Sequence, residues 1–169
     1  GGSTPVDTWR NRATLEPSGL GGARPDGSSG NTGHGGQVAG CDGAHVCDGE
    51  GIHFNVLGPT ANGLGTQPNH GSGSFVDSAP NNDIQSNTAS ANSAYGITIQ
   101  GVRSSNNLVA GNKIGTDGTG TAAAGNALGG LYLTSPANTI GTSSAPNQIA
   151  GNFFSGPIHL NCANAHATP

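Results

Sequence analysis

The chain has 169 residues, 31 of them glycine and 10 proline, and its formal net charge is −4 with only 8% of residues charged. Five basic residues cannot neutralise a run of phosphates, which argues against nucleic-acid binding, and no stretch approaches the 18 apolar residues of a membrane span. Leu, Ile, Val and Phe supply 28 residues, too few for one large globular core but enough for a solenoid, whose coils each need a few inward side chains and many tight turns.

Residues 1–50 read as an irregular or disordered Gly/Pro-rich segment, holding five of those 28 residues. Gly-Gly, Pro-Asp-Gly and Ser-Ser-Gly clusters read as turns or open loop. Gly1 to Leu20 lacks the apolar run of a signal peptide, and the absence of methionine predicts a processed chain or a fragment. Gly30-Asn31-Thr32-Gly33-His34-Gly35 looks like a turn between strands, which would make this region a degenerate first coil. Cys41-Asp42-Gly43-Ala44-His45-Val46-Cys47-Asp48 is the densest set of ligand-type residues. Three readings stay open for it: a Cys41–Cys47 disulfide, a metal site completed by His34, His53 or an acid, and a plain loop. With Cys162 the cysteine count is three, which argues against a disulfide framework as the main source of stability.

From Gly51 to Pro169 short apolar groups alternate with Gly/Asn punctuation. Phe75-Val76, Ile97-Thr98-Ile99, Leu108-Val109, Ile114, Leu131-Tyr132-Leu133, Ile140, Ile149 and Ile158-His159-Leu160 predict strands of three to five residues. Thr121 to Ala124 is the one helix-compatible stretch, and glycines bracket it too closely for a helix to hold. Asn92, Asn112 and Asn152 recur at spacings of 20 and 40, which predicts a coil near 20 residues with stacked asparagines along its axis. Asparagine and glycine both tolerate the left-handed backbone of sharp corners. A longer repeat overlays this one. Gly73 to Ile84 matches Gly130 to Ile140, giving a unit of 56 or 57 residues that holds more than one coil.

Asn106-Asn107-Leu108-Val109-Ala110-Gly111-Asn112-Lys113-Ile114-Gly115-Thr116-Asp117-Gly118-Thr119-Gly120, continuing to Gly125-Asn126, resembles the core repeat of bacterial right-handed parallel β-helix proteins. Ala137-Asn138-Thr139-Ile140-Gly141-Thr142 and Asn147-Gln148-Ile149-Ala150-Gly151-Asn152 resemble its following coils. The resemblance is good over residues 78–160, faint over 51–77 and absent from 1–50. It implies an all-β, right-handed parallel β-helix (solenoid) over 51–169, in a secreted or surface protein. Two stretches depart from the pattern: Ile84-Gln85-Ser86-Asn87 replaces an Ile-Gly-Gly turn, and Pro157 stands just before an expected strand, where it removes a ladder donor.

The resemblance is informative about architecture and silent about activity, because the same fold hosts adhesin-like proteins, polysaccharide lyases and hydrolases. Either chemistry needs clustered acids. Of seven Asp and two Glu, only Asp117 lies beyond residue 83, in the Thr-Gly-Thr loop with Lys113 and Arg103 as its nearby charges. Asp77 and Asp83 flank one strand and read as turn chemistry or as a sugar or calcium site. Thr116, Thr119 and Thr121 do not repeat on other coils as an ice-binding array would, and His159 alternates outward between Ile158 and Leu160. No catalytic, cofactor or metal residue is therefore assigned. The expected function is a non-catalytic extracellular or cell-surface scaffold, adhesin-like, meeting glycans or surface proteins, with end-to-end self-association through its last strand layer. The alternative is a fragment of a polysaccharide-active enzyme, which requires Asp42, Asp48, Glu50, Asp77 or Asp83 to converge across a groove.

Overall fold

The computed structural model describes residues 27–28, 30–39, 49–59, 67–154 and 158–160. Every regular element among them is a strand. In chain order these are β1 (Gly27–Ser28), β2 (Gly36–Val38), β3 (Gly51–His53), β4 (Val56–Leu57), β5 (Ser74–Asp77), β6 (Asp83–Gln85) and β7 (Thr88–Ala89). They continue with β8 (Tyr95–Gln100), β9 (Leu108–Ala110), β10 (Lys113–Ile114), β11 (Gly129–Leu133), β12 (Thr139–Ile140), β13 (Gln148–Ile149) and β14 (Ile158–Leu160). Successive strands enter three different sheets in rotation. Sheet A is β1-β4-β7-β10-β13, sheet B is β2-β5-β8-β11-β14, and sheet C is β3-β6-β9-β12. All strand pairs in these sheets are parallel, and each strand pairs with the strand three places on. The fold is thus all-β with three parallel sheets, an arrangement consistent with a β-solenoid. Strands β1 and β2 precede residue 51 and flank the Gly30–Gly35 turn; residues 40–48 lie outside the described residues.

Register stacks like on like in the interior. Ile52, Ile84, Val109 and Ile140 follow one another in sheet C, and Leu57, Ala89 and Ile114 in sheet A. In sheet B the row is Val38, Val76, Ile99 and Leu133. All but Ile140 are at most 4% exposed, and Ile140 and Ile149 pack against the cluster from its edge. Each fully buried aliphatic side chain contributes about 1.5–3 kcal/mol, which is how a chain poor in such residues sustains a core.

The corners are built from asparagine. One ladder runs Asn31, Asn69, Asn92, Asn126, Asn152; a second runs Asn55, Asn87, Asn112, Asn147; a third runs Asn82, Asn107, Asn138, with Glu50 as its first rung. In a typical rung the Oδ1 of one asparagine accepts both the backbone N–H and the Nδ2–H of the asparagine one coil earlier. Asn87 Oδ1 does so from Asn55 at 2.9 and 3.1 Å. The other Nδ2–H donates to a strand carbonyl of the previous coil, as Asn87 does to Ile52 O and Asn126 to Ala89 O. Buried polar groups are tolerable only when paired, and this geometry pairs the buried ladder side-chain atoms of the described residues except Asn82 Nδ2.

The rungs correct the repeat length. Partners lie 23 to 38 residues apart, not near 20. Asn92 and Asn152 belong to one ladder and Asn112 to another, so the spacings of 20 and 40 mixed two corners. The longer unit does hold: Ile84 pairs with Val109 and Val109 with Ile140, so the two matched segments lie two coils apart. The left-handed residue is also not the rung but the one before it. Phe54, Ser86 and Gly111 precede Asn55, Asn87 and Asn112; Asn81, Asn106 and Ala137 precede Asn82, Asn107 and Asn138. Ser86 therefore takes the left-handed conformation that Gly111 takes one coil on. Pro157 lies outside the described residues.

Glycine enters where space demands it. Four residues after the first four rungs of the first ladder stand Gly35, Gly73, Gly96 and Gly130. A Cβ on Gly96 would lie 2.4 Å from Ile114 Cγ2, 2.8 Å from Asn126 Nδ2 and 2.9 Å from Gly130 O. Gly35 and Gly73 meet the next glycine's carbonyl and the next rung's Nδ2 in the same way. The column keeps the ladder and sheet B in contact.

Candidate functional site

Sheet B contains the longest strands, β8 and β11, and its outer face collects the aromatic side chains. Register sets Gln37, Phe75, Thr98, Tyr132 and His159 in one outward row. Tyr132 and His159 are near-parallel, with ring centroids 5.3 Å apart. Tyr95 joins them from the start of β8, its ring 4.9 Å from Tyr132. At the other end His34 stacks on Phe75 at 4.0 Å. Between the two groups Thr98 is 4% exposed, and its hydroxyl lies 2.8 Å from Ser72 Oγ. Stacking along the axis turns the ring faces toward each other. Since side chains stand away from a sheet, the phenol and imidazole rims form the outer edge.

Of the described acids that the sequence singled out, only Glu50 and Asp83 are neighbours, Asp83 donating its N–H to Glu50 O at 2.9 Å. Asp77 ends β5 in sheet B, accepting from Ser78 Oγ at 3.1 Å and Gln100 Nε2 at 3.2 Å. Asp83 opens β6 in sheet C, beside Gly51 and Leu108. Glu50 donates its N–H to Asn82 Oδ1 at the head of the third ladder. Asp117 lies beyond β10 in sheet A's loop. Its carboxylate accepts from Thr119 Oγ1 at 2.8 Å and from the N–H groups of Gly120, Thr121 and Ala122. The Thr119 hydroxyl, followed by those backbone bonds, holds the Asp117 carboxyl below the usual range. Lys113 Nζ donates to Gly118 O at 2.6 Å and closes the same loop. Thr119 and Thr121 are exposed there, while Thr116 is buried at 4%, so the three threonines present no common surface.

His53 is exposed and meets Phe54 edge-on at 6.3 Å. His159 stands on the outer row as part of the stack. No three His, Cys, Asp or Glu side chains among the described residues are grouped to hold a metal. Cys41, Asp42, His45, Cys47, Asp48 and Cys162 lie outside the described residues. Sequence reasoning passed over the aromatic row, although Tyr132 and His159 occupy the middle of strands it had identified. Aligning those strands as equivalents was the signal.

No protein-family model, no curated protein and no solved structure matches the chain. The likeness to a repeat architecture rests on the quoted repeats and on the three parallel sheets.

Proposed function

We propose that the chain is a non-catalytic scaffold of the right-handed parallel β-helix kind, acting outside the cell or at its surface. In this reading the outer face of sheet B makes weak, adhesin-like contacts with neutral glycans. Right-handedness is supported by the general rule that crossovers between parallel strands of one sheet take that hand. The observation that carries the functional reading is the Tyr95–Tyr132–His159 stack. Tyrosine joins an apolar body to a polar tip, which suits a hydroxyl-rich, uncharged ligand. The row positions Gln37 and Thr98 are uncharged too, and Asp77 is engaged by Ser78 and by Gln100, its register partner. Of the acids the enzyme alternative calls on, Asp77 ends a strand of sheet B and is engaged by Ser78 and Gln100, Glu50 and Asp83 lie next to each other at sheet C, and Asp42 and Asp48 lie outside the described residues.

Affinity electrophoresis in gels cast with neutral polysaccharides tests the reading. Retardation is expected for the native chain and reduced for Tyr132→Ala. Equal mobility of both proteins in every gel, or release of reducing ends or unsaturated products from the polysaccharide, would overturn it.

A further inference from the structure

We propose that His34 is an acid-sensitive latch that fastens the first described coil, residues 30–39, to the second. The geometry is specific. The backbone N–H of Ser72 donates to His34 Nδ1 at 2.9 Å. A backbone amide has one hydrogen and can only donate, so Nδ1 must present its lone pair and the ring proton must sit on Nε2. The ring is held in that pose by its stack on Phe75 at 4.0 Å and by the close approach of Gly71. A Cβ on Gly71 would lie 2.5 Å from Nδ1, so no side chain fits between the ring and the 67–73 segment.

The same segment carries the rest of the attachment. Gly30 donates to Gln67 O, His70 to Asn31 O, Gly71 to Gly33 O and Gly35 to Ser72 O, and Asn31 bonds Asn69 Oδ1. Protonating Nδ1 places two N–H groups against each other in the middle of this set. The ring must then leave, and with it the Phe75 stack. The titratable groups on the packed elements are His70, exposed on the 67–73 segment, and Asp77 at the end of β5, already engaged by Ser78 and Gln100. Burial also lowers the His34 pKa. The sign follows: the unfolded chain binds a proton more readily than the native one. The latch is therefore fully effective above the ordinary histidine range and weakens as pH falls through it toward the lowered native value. Opening would uncover the edge of β5 that β2 now occupies, while the stack from β5 to β11 keeps its own bonds.

Hydrogen exchange of the full chain, corrected for intrinsic rates, tests this at pH 7.5 and 5.0. Peptides covering 30–39 and 67–73 are expected to open about tenfold more at the lower pH for each unit of pKa difference, with residues 97–133 unchanged. His34→Gln retains a side-chain oxygen to accept from Ser72 and is expected to lose that pH dependence, whereas His70→Gln is expected to keep it. Imidazole nitrogen shifts of the native chain give a second readout, with His34 expected as the neutral Nε2–H tautomer at pH 7.5. Uniform opening across the chain at pH 5.0, unchanged pH dependence in His34→Gln, or a His34 ring that protonates with no change at Ser72 would overturn the proposal.

Discussion

Removing one interior rung measures what the asparagine ladders contribute. Asn87 is 1% exposed, and its side chain makes four bonds: Oδ1 accepts from Asn55 N and Nδ2, and Nδ2 donates to Ile52 O and Asn112 Oδ1. In Asn87→Ala the Asn112 oxygen still holds the residue-87 N–H at 2.9 Å, so it is not orphaned. The two Asn55 donors are, and Asn55 is itself 9% exposed. Each unsatisfied buried donor costs about 1–3 kcal/mol, so with the small void the loss is about 3–5 kcal/mol. That is a large fraction of a domain's typical stability of about 5–15 kcal/mol. Asn147→Ala removes the last described rung of the same ladder and deprives the N–H and Nδ2–H of Asn112 of their acceptor, but the vacated position is itself partly exposed, so water replaces the lost oxygen and about 1 kcal/mol is expected. Urea unfolding followed by far-UV circular dichroism gives both values. Equal losses for the two variants, or a loss below about 1 kcal/mol for Asn87→Ala, would show that the ladder decorates the stack instead of holding it.

Gly96→Ala is expected to lower the melting temperature and cost about 1–3 kcal/mol or more, because its Cβ would overlap Ile114 and Asn126, whereas Gly33→Ala has nothing within 4 Å and is expected to be near neutral by the same thermal scan. Asp117→Ala is expected to speed amide exchange at Gly120, Thr121 and Ala122 at neutral pH. Because the native carboxyl is held below the usual range, the native loop is expected to keep its protection through mild acid and lose it only as pH falls through that lowered value. The outer edge of β14 has no partner strand among the described residues, and exposed edges recruit other chains. Sedimentation is therefore expected to show concentration-dependent association that Ile158→Lys reduces, and a strictly monomeric native chain would count against it.

Strand positions were readable because alternation and β-branched residues mark them: Ile97-Thr98-Ile99 and Leu131-Tyr132-Leu133 place their outer residues inward and Thr98 and Tyr132 outward, as period two requires. Coil length was not readable by spacing. Loops of unequal length separate equivalent corners, so a search for equal intervals pairs residues of different ladders, as it did with Asn92 and Asn112. A local pattern narrows the choice without settling it. Asn-x-x-x-Gly follows every rung of the first ladder, from Asn31/Gly35 to Asn152/Gly156, but it also occurs at Asn107/Gly111 in the third ladder and Asn147/Gly151 in the second. Tyr95 was hidden for another reason. The Cβ position of Gly96 points inward, as Ile97 does, so two consecutive residues face the core and the alternation that would have placed Tyr95 outside is broken. The His34 latch joins residues 38 apart and leaves no periodic trace.

The parallel register has a mechanical consequence. Tension applied between β1 and β14 pulls along the axis of the stack, in the direction of the interstrand hydrogen bonds. The load then falls on one outermost coil at a time, and coils peel in sequence instead of shearing together. Each event frees one coil's worth of chain, 23 to 38 residues. At about 3.3–3.6 Å per extended residue, this lengthens the molecule by roughly 75–135 Å per event. Such a stack yields under force by paying out slack in uneven steps whose sizes record the loop inserted in each coil.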